Sequence, residues 1–103
     1  MKLDRMTQQI ASRRRSEIDG SPQNVVAHHI IGRANKYLRW FPDNWFFCTV
    51  QQHDLIHRGI LKVDNYITPK RMGKLIDKKI ESLRWHPTEQ FYKETEERLK
   101  KLL

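Results

Sequence analysis

A chain of 103 residues suits one compact domain and leaves little room for a second, and its formal net charge of +8 favours a polyanionic partner. Apolar residues make up 38%, with three Trp, three Tyr and four Phe, which argues against disorder, and no apolar run approaches the roughly 20 residues that span a bilayer. The single Cys48 excludes an internal disulfide and any zinc site built on paired cysteines.

Residues 3–17 read as an amphipathic helix, with Leu3, Met6 and Ile10 at helical spacing. Arg13, Arg14 and Arg15 fall near its end, where the helix dipole favours cations. The polar opening, Met1-Lys2-Leu3-Asp4-Arg5-Met6, does not read as a signal peptide, so a soluble, cytoplasmic protein is expected. Asp19-Gly20-Ser21-Pro22 breaks the helix. Residues 24–31, rich in Val and Ile, form a short predicted strand. Gly32, Asn35 and Pro42-Asp43 make 32–43 a loop, and Asn44-Trp-Phe-Phe-Cys48 has strong strand propensity. Alternation along that strand sends Trp45 and Phe47 to one face. The aromatics Trp40, Phe41, Trp45, Phe46 and Phe47 therefore read as packing, not as base-stacking platforms.

Thr49-Val50-Gln51-Gln52 fits a capping box that opens a helix, and Gly59 stops it. Thr68-Pro69 opens another, expected over about 68–84, with Met72, Leu75, Ile76, Ile80 and Leu83 as its apolar stripe. A last helix is expected over 87–103, with Glu89 near its start and Lys100 and Lys101 near its end. The fold expected over 1–103 is a single α+β domain. A two-stranded hairpin and one helix form a core at 24–59, braced by one N-terminal and two C-terminal helices. Residues 58–85 hold eight cations against three acids, so much of the positive surplus lies beyond the histidine-rich segment. The Lys/Arg set of 70–79 and Arg13–Arg15 read most simply as solvated faces, with tracking of a nucleic-acid backbone as the second reading.

Four of the five histidines lie between 28 and 57. His53 and His57, four apart on a helix, present two imidazoles to one point, a geometry that suits divalent metals. A strand packed on that helix can deliver a third. Neighbours on a strand point different ways, so His28 and His29 are expected to do different jobs, one binding metal and the other facing substrate. His86, before Pro87, reads as structural.

The stretch Ala27-His28-His29-Ile30-Ile31-Gly32-Arg33, then Asn44, then His53-x-x-x-His57 resembles the HNH nucleases, a family that includes the colicin DNases and many phage and restriction enzymes. From His29 to Asn44 is 15 residues, and His53 follows nine later; the resemblance covers residues 27–58. It implies a small ββα-metal core in which His28, His53 and His57 hold one divalent ion and His29 is the general base. Asn44 would tie the loop to the strand and hold His29 in orientation. Mg²⁺ or Mn²⁺ is the expected ion, with Ni²⁺, Co²⁺ and Zn²⁺ as others. The implied partner is DNA, favoured over RNA, with no membrane and no small-molecule substrate; the implied working unit is a nicking monomer or weak homodimer. Arg33 and Arg58 are candidates to grip the scissile phosphate, set against an equal reading as surface cations. Many relatives carry a Cys-x-x-Cys zinc knuckle just before the metal helix, where this chain has Thr49 and Gln52. A nucleic-acid-binding module with a closed structural metal site is the alternative.

Overall fold

The computed structural model describes residues 2–103. Met1, the first residue of the expected domain, lies outside the described residues. In chain order the elements are helix α1 (Lys2–Ala11), strand β1 (Val25–His29), helix α2 (Lys36–Arg39), a 3-10 turn (Pro42–Asn44), strand β2 (Trp45–Thr49), helix α3 (Val50–His57), a second 3-10 turn (Val63–Tyr66), and helices α4 (Pro69–Ser82) and α5 (Glu89–Lys100). The result is a small α+β fold of five helices around one antiparallel hairpin.

β1 and β2 pair with Val25 opposite Thr49 and His29 opposite Trp45. Alternation then sorts the hairpin's side chains between two cores. Ala27, Trp45 and Phe47 pack with Leu3, Met6, Ile10 and Ala11 of α1, Trp40, and Leu99 of α5. Phe46 and Cys48 pack on the other side with Ile67, Val26, Ile30 and Ile56. Trp40, Trp45 and Phe46 are fully buried, so these three aromatics pack the core and are unavailable to bases. No helix is long and apolar enough to cross a membrane among the described residues.

Five expectations about elements need correction. α1 ends at Ala11, six residues early. Buried Ser16 accepts hydrogen bonds from the backbone N–H of Ile18 and Asp19 at 3.1 and 3.4 Å and donates to Gln52 Oε1 at 2.6 Å. A serine that satisfies backbone groups in a turn and reaches another helix competes with helix extension. The stretch 32–43 is not a plain loop: Asn35 Oδ1 accepts from Leu38 N at 3.2 Å and caps α2, while Pro42 opens a 3-10 turn that takes in Asn44. Residues that read as breakers act here as helix starts. β1 and β2 are accordingly Val25–His29 and Trp45–Thr49, trimmed or shifted by one or two residues. The stripe of α4 is covered only in part. Leu75 is fully buried and Met72 half-buried, but Ile76, Ile80 and Leu83 are 49%, 61% and 78% exposed, because α4 packs on α2 and the first 3-10 turn along one side. α5 starts at Glu89, two residues after Pro87, with Thr88 as its cap.

Candidate metal centre

The start of α3 is locked as its sequence requires. Thr49 Oγ1 accepts from Gln52 N at 3.1 Å and Gln52 Oε1 accepts from Thr49 N at 2.9 Å. Gly59, at φ +73°, ends the helix in the left-handed conformation that glycine adopts without strain. Between these stops, His53 and His57 share one face, their Nε2 atoms 3.0 Å apart. β1 supplies His28, its ring centroid 5.3 Å from that of His53 and 5.5 Å from that of His57. One nitrogen from each of the three rings lies within 4.8 Å of the others.

This donor set fits a divalent ion. Metal–nitrogen bonds of about 2.0–2.1 Å put adjacent ligands about 2.9 Å apart at a right angle and about 3.3 Å apart at the tetrahedral angle, and 3.0 Å falls between. Metal binding needs neutral imidazole. Burial, and then the neighbouring His53, His57 and His29, push His28 down to about 4. Burial and His57 likewise lower His53, against a smaller opposing pull from Asp54. Three His and no fourth His, Cys or carboxylate make up this cluster among the described residues, which leaves positions open on a bound ion. Cys48 is fully buried in the hairpin's second core, and burial raises its thiol to about 11, so it stays protonated.

His28 carries a prediction for the metal-free protein. Its folded value lies below its ordinary 6.5, so folding favours the neutral ring, and that stabilisation is complete above pH 6.5 and lost as pH falls toward 4. The loss should be about 2 kcal/mol after allowing for partial exposure. Thermal melts in chelator across pH 7 to 4 measure it, and His28→Gln should flatten that part of the curve. An equal decline in the variant would assign it to other groups.

His29, the next residue on β1, lines the same cavity but is not one of the three converging rings. Its Nε2 lies 3.0 Å from the carbonyl oxygen of Arg39, which also accepts Trp45 Nε1–H at 3.0 Å. A carbonyl can only accept, so Nε2 carries the proton and Nδ1 is left as a bare acceptor, without a hydrogen-bond partner among the described residues. Burial lowers the pKa of His29, helped by the charges of Arg33 and Arg39, while the Arg39 carbonyl and Asp4 pull the other way.

Asn44 is fully buried and closes the loop that carries Arg39. Its Oδ1 accepts from Ile31 N at 2.6 Å, and its Nδ2 donates to the carbonyls of Ile31 at 3.0 Å and Leu38 at 3.1 Å. A cavity of about 560 Å³ opens where these parts meet, lined by His28 and His29 from β1, His53 and His57 from α3, Arg33, and Asp4, Thr7 and Gln8 from α1. Arg33 therefore sits at the site. Arg58 does not line it: it follows α3, and its exposed side chain lies 3.5 Å from Asp54.

Sequence reasoning missed Asp4. Its Oδ1 accepts from Arg39 Nε at 3.1 Å and Trp40 Nε1 at 3.0 Å; its Oδ2 accepts from Arg39 Nη2 at 2.6 Å and Arg33 Nη2 at 3.3 Å. Burial opposes its charge, but hydrogen bonds from Arg39 and Trp40 and the charges of Arg39 and Arg33 together hold the carboxyl below its ordinary range. The only sequence signal was its place beside Leu3 on an amphipathic helix, which gives no partner. No family model, curated protein or solved structure matches this chain.

Proposed function

We propose that this protein is a metal-dependent endonuclease of the HNH, ββα-metal type, hydrolysing phosphodiester bonds in DNA. The observation that carries the reading is the pairing of two histidine environments in one cavity: three imidazoles converge, while a fourth is tethered through Nε2 and keeps Nδ1 bare. A binding module with a closed structural site has no use for the fourth.

In this reading His28, His53 and His57 hold the ion. A divalent cation there supplies charge neutralisation at the scissile phosphate and the departing 3′ oxygen. His29 Nδ1 takes a proton from water as the water oxygen bonds to phosphorus and the P–O3′ bond breaks; the 3′ oxygen is protonated from solvent. The Arg39 carbonyl fixes the tautomer and aims the ring. Arg33, exposed at the rim and held by Asp4 at 3.3 Å, is positioned to grip a phosphate oxygen. An all-nitrogen donor set suits Mn²⁺, Co²⁺, Ni²⁺ and Zn²⁺ better than Mg²⁺, which prefers oxygen.

One chain has one such centre, so a monomer should nick. Supercoiled plasmid incubated with each ion should pass to open circle first, with linear product lagging, and EDTA should stop the reaction. Linear product appearing directly at low enzyme would mean that a dimer is the working unit. No cleavage with any of the five ions would overturn the nuclease reading.

A further inference from the structure

The cations that dominate the sequence count are not the ones beside the site. On α4, Arg71 is tied to Glu17 at 2.8 Å and to the carbonyls of Asp43 and Trp45; Lys74 pairs with Asp43 and Lys78 with Glu81. No residue of α4 lines the histidine cavity. α1 does. Its buried face is Leu3, Met6, Thr7, Ile10 and Ala11, which turns Arg5, Gln8, Gln9 and Ser12 outward on a single face. A shallow groove of about 500 Å³ runs over that face and shares Asp4 and Gln8 with the histidine cavity, so the two depressions adjoin across these residues.

The charge along this track is one-sided. Asp4 is its only acid and is already matched by Arg39 and Arg33. Arg5, Arg13 and Arg14 are exposed, and none makes a side-chain hydrogen bond or ion pair among the described residues. The amides of Gln8 and Gln9 are similarly unengaged, each offering a donor and an acceptor. A 10-residue helix is about 15 Å long, roughly the rise of four phosphates along one strand.

We propose that the outer face of α1, with Arg5, Gln8, Gln9 and Ser12 and the arginines beyond its end, is the surface along which a DNA duplex runs as it leaves the histidine cavity. Arg5, Arg13 and Arg14 neutralise phosphates, and the glutamines hydrogen-bond the strand between them. This rests on the nuclease reading for the identity of the polyanion, and its test is therefore run without cleavage.

Two triple variants remove equal charge from different places: Arg5→Gln/Arg13→Gln/Arg14→Gln on α1, and Lys70→Gln/Lys79→Gln/Arg84→Gln on and just beyond α4. All six residues are exposed, and thermal melts check that each variant folds. Affinity for a short labelled duplex is measured by anisotropy in EDTA across a salt series. The α1 variant should bind about 100-fold more weakly near 0.1 M salt, with its salt exponent smaller by about 2 to 3, as expected for lost phosphate contacts. The α4 variant should stay within a few-fold of the parent, and Arg→Lys at the three α1 positions should restore binding. Equal losses in both triples would reduce the effect to net charge and overturn the proposal. So would unchanged binding by the α1 variant, or a parent protein that binds no duplex. A parent that binds through α1 yet cleaves with no metal sinks the nuclease reading alone; one that cleaves while the α1 variant binds normally sinks this surface alone.

Discussion

His29→Ala should retain metal and duplex binding yet cleave roughly 10²–10⁴-fold more slowly, the usual cost of a lost acid–base group. The ring is not among the three that converge, so the donor set is untouched. The carbonyl of Arg39 loses one donor but keeps Trp45 Nε1–H at 3.0 Å, so no buried acceptor is orphaned and the fold should tolerate the change. Metal content, duplex affinity and single-turnover rate, measured on one preparation each of parent and variant, decide the matter. Loss of the metal would make His29 a ligand and reverse the roles of His28 and His29. Cleavage at the parental rate would remove His29 from the chemistry.

The parts of this structure that sequence could reveal are those governed by short-range rules. α3 begins and ends where Thr49, Gln52 and Gly59 dictate, because a capping box and a left-handed glycine satisfy backbone groups within a few residues. Strand alternation separates Trp45 and Phe47 from Phe46 and Cys48, and for the same reason sends His28 toward α3 and His29 toward α2. The convergence of His28 with His53 and His57 follows from these two periodicities once the strand lies against the helix.

What was illegible depends on contacts far apart in sequence. The six residues lost from α1 turn on Ser16 reaching Gln52, 36 positions away. The role of Asp4 turns on Arg39 and Trp40, 35 and 36 positions away, and no local pattern of an acid in a helix's first turn distinguishes that from ordinary dipole compensation. The tether of His29 is a backbone carbonyl, and side-chain identity at position 39 carries no information about a carbonyl. Charge counting failed for a related reason: it locates cations along the chain but not the carboxylates that fold onto them, as Glu17 does onto Arg71 across 54 positions.

Asn44 should give the largest stability effect. Its side chain is fully buried and makes three hydrogen bonds, all to backbone groups of residues 31 and 38. Alanine would leave the half-buried Ile31 N–H and Ile31 carbonyl without their Asn44 partners, while the Leu38 carbonyl keeps the Phe41 N–H at 3.1 Å. Each group left unsatisfied costs about 1–3 kcal/mol, and the emptied side-chain volume adds to this. We expect a total loss of about 3–5 kcal/mol, a large share of the roughly 5–15 kcal/mol that holds a domain folded. Asn44→Asp separates hydrogen bonding from volume. Asp keeps an oxygen for Ile31 N but turns a second oxygen, in place of Nδ2, toward two carbonyls, so it should be nearly as destabilising at neutral pH although its shape is unchanged. Because the loop carries the Arg39 carbonyl that aims His29, both variants should lose cleavage rate faster than metal affinity, even at temperatures where they remain folded. Urea unfolding in chelator, with metal titration and rate on the folded variants, measures all three quantities. If Asn44→Asp is as stable as the parent, the Nδ2 bonds are not what closes the loop; if rate and metal affinity fall together, Asn44 supports the whole site and not the aim of His29.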